Sequence, residues 1–338
     1  MVALAALVTV VAAVGAYADS YSWTNLQSDI AGVAQNTDRN LVNSWGMAVP
    51  SSNGPIWVSD NGTGVSTLYH LDGTAAPSPD NPLVVTIPAV QSGGTGTPTG
   101  IVFNSTPFFK VSKNGNSQPA KFIFASEDGM ISGWNPAVDP TNAVPAVKVT
   151  GPVFKGMTMG VANGHNFLYV TDFHNARVVT LDENFHRVNI SGFADPTIPA
   201  GFAPFGIRNI NGQIYVTYAK QGPGAHDDVA GPGNGFINIF DTSGNFVRRL
   251  VSHGNLNSPW GLALIEGDEL WVGNFGDGKI NNYDPVTPET FLGTISRADG
   301  RPLQFDGLWD MLPLGAGVYF TAGIGDEDHG LFGIITED

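Results

Sequence analysis

Short apolar strands separated by polar turns run the length of the chain, and they recur in one order. A turn ending in Gly is followed by a short apolar strand, a brief gap, and then a strand with an aromatic or branched anchor at its second position. The first-strand segments are Ser44-Trp45-Gly46-Met47-Ala48-Val49, Pro98-Thr99-Gly100-Ile101-Val102-Phe103, Met159-Gly160-Val161, Pro204-Phe205-Gly206-Ile207, Pro259-Trp260-Gly261-Leu262 and Leu308-Trp309-Asp310-Met311. Their second strands are anchored at Trp57, Ile123, Tyr169, Tyr215, Trp271 and Tyr319. The second unit carries an insertion over 104–121. A third strand ending in Asp or Asn follows in most units, as in Leu68 to Asp72 and Val178 to Asp182, with fainter fourth strands at 82–87 and 246–251. Four short strands per unit, repeated about every 50 residues, predict propeller blades. Six units predict an all-β, six-bladed β-propeller. The strand-like segment Tyr21 to Leu26 precedes the first unit and is expected to complete the last blade, closing the ring and removing an open edge.

Composition agrees. The 338 residues include 43 Gly and 23 Pro, about one residue in five, which excludes long helices. At 42% hydrophobic and 10% aromatic, the chain has material for a large core. Cys is absent, so no disulfide supports the fold. Fifteen Lys and Arg stand against thirty Asp and Glu, a formal charge of −15, which repels nucleic acid and anionic membranes. Residues 1–18 form an apolar run ending in Ala16-Tyr17-Ala18, read as a signal peptide. The expectation is a secreted, extracellular protein whose residues 19–338 form a single propeller domain, monomeric and free of the membrane after cleavage. Sequons stand at Asn61, Asn104 and Asn189.

Because strands alternate in direction, the turn before each first strand and the loop between the second and third strands fall on one face. The six second-to-third-strand loops therefore surround one mouth: 60–64, 127–129, 172–175, 218–235, 274–278 and 322–330. Each carries Asp or Glu, and three carry His (His174, His226 and His329). Turn chemistry alone asks for Asp, Asn and Gly. Two loops exceed that need. Ala219 to Gly235 is far longer than the 2–5 residues of a hairpin and contains His226-Asp227-Asp228. Gly325 to His329 places three carboxylates and a His in five positions, a charge density that a hard cation such as Ca²⁺ relieves. His70, His165, His186 and His253 form no cluster. The Trp residues are read mainly as blade packing, with Trp134, Trp260 and Trp309 within reach of the mouth.

Pro204-Phe-Gly-Ile207 with Ile214-Tyr-Val-Thr217, and Leu168-Tyr-Val-Thr-Asp-Phe-His-Asn-Ala-Arg-Val178, resemble NHL-type and SMP-30/gluconolactonase-like propellers. His226-Asp-Asp-Val-Ala-Gly-Pro-Gly-Asn-Gly-Phe236, Val272-Gly-Asn-Phe-Gly-Asp-Gly-Lys-Ile280 and Phe320-Thr-Ala-Gly-Ile-Gly-Asp-Glu327 resemble a family of uncharacterised secreted propellers, some of which carry a PEP-CTERM sorting signal. No sorting tail follows Asp338, so release is expected. That family brings no established activity. Lactonase-like propellers hold a divalent ion with Glu, Asn and Asp ligands, and Glu127, Asn274 and Asp172 are of matching type.

Two functions remain open. One is a divalent-cation-dependent hydrolase or lyase acting on a lactone, ester or polysaccharide. Glu127, Asp172, Asn274 and Asp326 would be its ligands, His226 the base, Asp227 or Asp228 its orienting partner, and Lys220 the oxyanion support. The other is a non-catalytic module that binds glycan or protein at the same mouth with aromatic platforms.

Overall fold

A computed structural model describes residues 19–188, 192–265 and 269–338, and the leader read at 1–18 and the sequon at Asn189 lie outside these. Six blades are present. From the axis outward, the first is Ser44–Ala48, Ile56–Asp60, Val65–Tyr69 and Val85–Thr86. The second is Pro98–Phe103, Phe122–Ser126, Met130–Trp134 and Val144–Lys148, and its insertion forms a hairpin of Lys110–Lys113 and Asn116–Pro119. The third is Phe154–Ala162, His165–Asp172, Arg177–Asp182 and Arg187–Val188, and the fourth is Phe202–Ile210, Gln213–Lys220, Gly235–Asp241 and Phe246–Ser252. The fifth is Pro259–Ile265, Glu269–Asn274, Ile280–Tyr283 and Phe291–Thr294. Leu308–Leu314, Gly317–Ala322 and Leu331–Glu337 form the sixth, and Tyr21–Ser28 adds to it antiparallel to Leu331–Glu337. Ring closure is therefore as the sequence pattern predicts. The one helical piece among the described residues is the 3₁₀ turn Pro223–Ala225, and no helix is long and apolar enough to cross a membrane.

Alternating apolar positions give each sheet two hydrophobic faces, and these close against the neighbouring sheets. Six buried clusters result, one between each adjacent pair of blades. A seventh, built from Trp45, Phe173, Ala203, Phe205, Ala219, Trp260 and Trp309, plugs the channel on its mouth side.

Every inner hairpin changes register at its mouth end. There the repeat glycines lie against the next blade: a Cβ on Gly46 would meet the Thr99 carbonyl oxygen, and one on Gly206 the Trp260 carbonyl oxygen. The third blade's equivalent is Gly156, facing the Phe205 carbonyl oxygen, not the expected Gly160, which abuts the Tyr169 ring farther out. Threonines stitch the same seam. Thr171 Oγ1 accepts from Gly156 N and donates to the Phe205 carbonyl, each at 2.7 Å.

In the sixth blade Asp310 takes the glycine position. Its carboxylate accepts from Met47 N and Met311 N at 2.8 Å and pairs with Arg208 at 2.5 Å. Burial pushes this carboxyl above its ordinary range, against the pull of Arg208 and the two N–H groups. Asp310→Ala removes the partner of a largely buried guanidinium and of two backbone N–H groups, and is expected to destabilise the ring by about 3 kcal/mol in chemical denaturation. An unchanged midpoint would show that the pair does not hold the closing seam.

Candidate functional site

The loops predicted to share one face do so, and a cavity of about 470 Å³ opens among them. Its lining includes Trp45, Glu127, Lys155, His226, Asp227, Asp228, Phe275, Trp309 and Glu327. The floor is aromatic: Trp45 stacks on Trp309 with ring centroids 3.4 Å apart, and Phe275 stacks on the same Trp309 at 4.1 Å. Both Trp rings are 1% exposed, so they pack against each other more than they face the opening.

A lysine stands at the centre. Lys155 precedes the repeat glycine of the third blade, where the other blades carry Trp45, Thr99, Phe205, Trp260 and Trp309. Its side chain is 4% exposed and lies over the Trp45 ring, with Nζ 5.1 Å from the ring centroid. Nζ donates to Glu127 Oε1 at 2.6 Å and lies 3.7 Å from Asp227 Oδ1. The Lys155 carbonyl accepts from Trp260 Nε1 at 3.1 Å, which fixes the stem of the side chain.

Asparagines hold the two glutamates. Asn61 Nδ2 donates to Glu127 Oε2 at 3.1 Å, and Asn43 Nδ2 donates to Glu327 Oε2 at 2.6 Å. Asn43 Oδ1 in turn accepts from Trp309 Nε1 at 3.0 Å. Asn61 is thus a buried site residue, and the second sequon, Asn104, is buried and bonded to two carbonyls.

The long fourth-blade loop supplies the rest. Gly222 N to the Asp227 carbonyl at 2.8 Å, Gly231 N to Asn257 Oδ1 at 2.6 Å and Gln221 Nε2 to the Phe173 carbonyl at 2.6 Å pin it over the mouth. At its tip His226 Nδ1 meets Asp227 Oδ1 at 2.7 Å. A carboxylate can only accept, so Nδ1 carries the proton, and in the neutral ring Nε2 is then the basic nitrogen. Partial desolvation pushes the Asp227 carboxyl up, but the His226 hydrogen bond and the Lys155 charge outweigh it and leave it below its ordinary value. Burial raises the neighbouring Asp228 carboxyl and that of Glu327. Adjacent carboxylates pushed in opposite directions are the pattern that separates a charged partner from a proton donor.

Of the residues expected here from sequence, Glu127, His226, Asp227 and Asp228 line the cavity together. Glu127, His226 and Asp227 present ligand-type atoms all within 4.8 Å of one another, a set that suits a metal ion by residue type. The other four lie apart from it. Asp172 is fully buried beneath its own loop, bonded to Arg177 Nε at 2.9 Å and Asn175 Nδ2 at 2.8 Å. Asn274 is fully buried and bonded to the Asn255 carbonyl and Asn257 N. Asp326 is exposed, and its neighbour Glu327 faces the cavity instead. Lys220 ends its strand in solvent outside the lining. His329 pairs with Asp29 at 2.7 Å, and His174 Nδ1 lies 3.1 Å from the Gly224 carbonyl.

Glu327 and Asn61 lie in the loops 322–330 and 60–64 but are not among the site residues expected there, and Lys155 and Asn43 lie outside the six loops. The repeat does carry a signal for Lys155: aligned on Gly156, it places a lysine in a column of mostly aromatic residues.

No protein-family model matches the chain. Two uncharacterized proteins of Acanthamoeba polyphaga mimivirus are similar to it in sequence. One is 31% identical over 331 residues, covering 93% of this chain and 79% of that protein. The other is 32% identical over 326 residues, covering 90% and 83%. Among solved structures, virginiamycin B lyase from Staphylococcus aureus is similar with a TM-score of 0.51 and 16% identity, over 94% of this chain and 99% of that one. A gluconolactonase from Xanthomonas campestris gives 0.54 and 12%, over 88% and 87%. At such identities the likeness establishes a shared propeller fold and no more.

Proposed function

Because the chain belongs to the same family as the two uncharacterized mimivirus proteins, which lend it no activity, we propose from the mouth geometry that it is an extracellular hydrolase or lyase. The observation that carries this reading is an imidazole and a buried ammonium brought to one cavity by a single run of contacts, Glu127–Lys155–Asp227–His226. His226 Nε2 takes the proton, from water in a hydrolase or from carbon in a lyase, and Asp227 orients the ring and stabilises the imidazolium. Lys155, whose side chain is 4% exposed, faces the oxygen on which negative charge develops. Asp228, held toward its protonated form, returns a proton to the leaving group. A lactone, an ester or a polysaccharide with esterified uronates meets these needs, since each offers an uncharged carbonyl group for the ammonium. A glycan or small molecule is therefore the proposed ligand, and the reading of 1–18 as a leader supports action outside the cell.

The triad's donor types suit Ca²⁺ poorly, and the ammonium beside them disfavours any divalent ion. One of three donors is an imidazole, whereas Ca²⁺ takes oxygen, and Glu127 and Asp227 already face the Lys155 ammonium. No step is therefore assigned to a metal.

The test is a panel of lactones, esters and uronate-containing polysaccharides, with oxygen-isotope uptake separating hydrolysis from elimination. Wild type is expected to turn over one class, and Asp227→Asn to lower kcat/KM by about tenfold or more through loss of ring orientation. Turnover untouched by Asp227→Asn would remove the pair from the mechanism. Oligosaccharide binding with no turnover across the panel would favour the non-catalytic module, a reading weakened by the burial of the Trp45 and Trp309 faces.

A further inference from the structure

We infer that Lys155 is the built-in cation of this mouth, standing where a divalent metal would otherwise be held, and that its removal turns the cluster into a metal site. The carboxylate oxygens that would bind a metal are the ones the ammonium faces: Glu127 Oε1 at 2.6 Å and Asp227 Oδ1 at 3.7 Å. Glu327 and Asp228, the other carboxyls lining the cavity, also feel the Lys155 charge. His226 completes the ring of polar groups around it.

Lys155 cannot easily give way. Its backbone lies in the inner-strand register shift, its carbonyl holds Trp260 Nε1, and the following N–H is bonded to Thr171 Oγ1. The aliphatic stem is buried, and the ammonium lies over the Trp45 ring. A metal ion bonded to Glu127 or Asp227 at roughly 2.0–2.4 Å would sit against that ammonium and be repelled by it. With Lys155 gone, two to four carboxylates and an imidazole would face one another with no counter-charge, a donor set that divalent ions satisfy. The inference deepens the proposed function by giving the site its electrophile, yet the metal-binding measurement below involves no turnover. A protein that acts on no substrate would sink the enzyme reading and leave this one standing.

Titration calorimetry and thermal shift with Ca²⁺, Mg²⁺, Mn²⁺ and Zn²⁺ decide it, applied to wild type, Lys155→Met and the Lys155→Met/Glu127→Gln double variant. Wild type is expected to bind none of these ions at the mouth at up to about millimolar concentration. Lys155→Met is expected to gain one site per chain, at least about tenfold tighter than any residual wild-type binding, and the double variant to lose it. One ion per wild-type chain, abolished by Glu127→Gln alone, would overturn the inference. So would a folded Lys155→Met that binds none of the four. If Lys155→Met does not fold, Lys155→Gln takes its place in the same titration, with the same gain of one site expected and its absence overturning the inference.

Discussion

Replacing His226 with alanine is expected to lower kcat/KM by about 10²–10⁴-fold on any substrate the wild type turns over, the range a positioned general base supplies. That loss corresponds to roughly 3–5 kcal/mol of transition-state stabilisation. The imidazole side chain is 56% exposed and its partner among the described residues is Asp227 Oδ1, so its removal leaves the packed core untouched. The unfolding midpoint should therefore stay within experimental error while activity falls. This split separates a chemical role from a structural one. Added imidazole should restore part of the rate, because the opening above Lys155 would then hold a free base of the same kind. A variant with full activity would remove His226 as the base and turn attention to Glu327 or Asp228.

Gly206→Ala is the second large effect, on stability and not on chemistry. A Cβ at this position would lie 2.1 Å from the Trp260 carbonyl oxygen and 2.9 Å from Thr217 Oγ1. The offending oxygen is backbone of the next blade, so relief requires two inner strands to separate. Overpacking of this kind costs about 1–3 kcal/mol and more where backbone must move, and about 3 kcal/mol or more is expected here. The other ring glycines provide an internal scale. The nearest backbone atom would be 2.4 Å away at Gly100, 2.5 Å at Gly261, 2.7 Å at Gly46 and 3.1 Å at Gly156. Urea midpoints of the five alanine variants should follow that order, with Gly156→Ala the mildest. A Gly206→Ala protein as stable as Gly156→Ala would show that blade-to-blade approach is not what limits these positions.

The third blade shows where reading the sequence stops. Glycines stand at both 156 and 160, and an apolar pattern around Met159 favours the second. The strand in fact starts at Phe154, and a register shift near its beginning makes Gly156 the ring glycine. That offset of four residues hid Lys155, because it left the lysine outside the repeat. Asp172 and Asn274 illustrate the opposite error. Their residue types suit a ligand and they end second strands on the correct face, but their side chains turn inward to satisfy loop N–H and carbonyl groups. Glu327 and Asp326 differ only in which way one loop residue points, which no local pattern encodes.

The alternation of apolar and polar positions, the turn residues and the period near 50 were enough to determine the six blades, the closing role of the segment that begins at Tyr21 and the face on which the loops gather. These follow from short-range rules: side chains alternate along a strand, and unpaired edges must be covered. Only the tertiary structure decided the site. Glu127 comes from the second blade, Lys155 from the third, His226 and Asp227 from the fourth and Glu327 from the sixth, and each is placed by the ring's radius and by the register shifts of strands far apart in the chain. Charge partners across a channel are chosen by distance in space, and that distance is set by how the six sheets pack around the aromatic plug of Trp45, Phe205, Trp260 and Trp309.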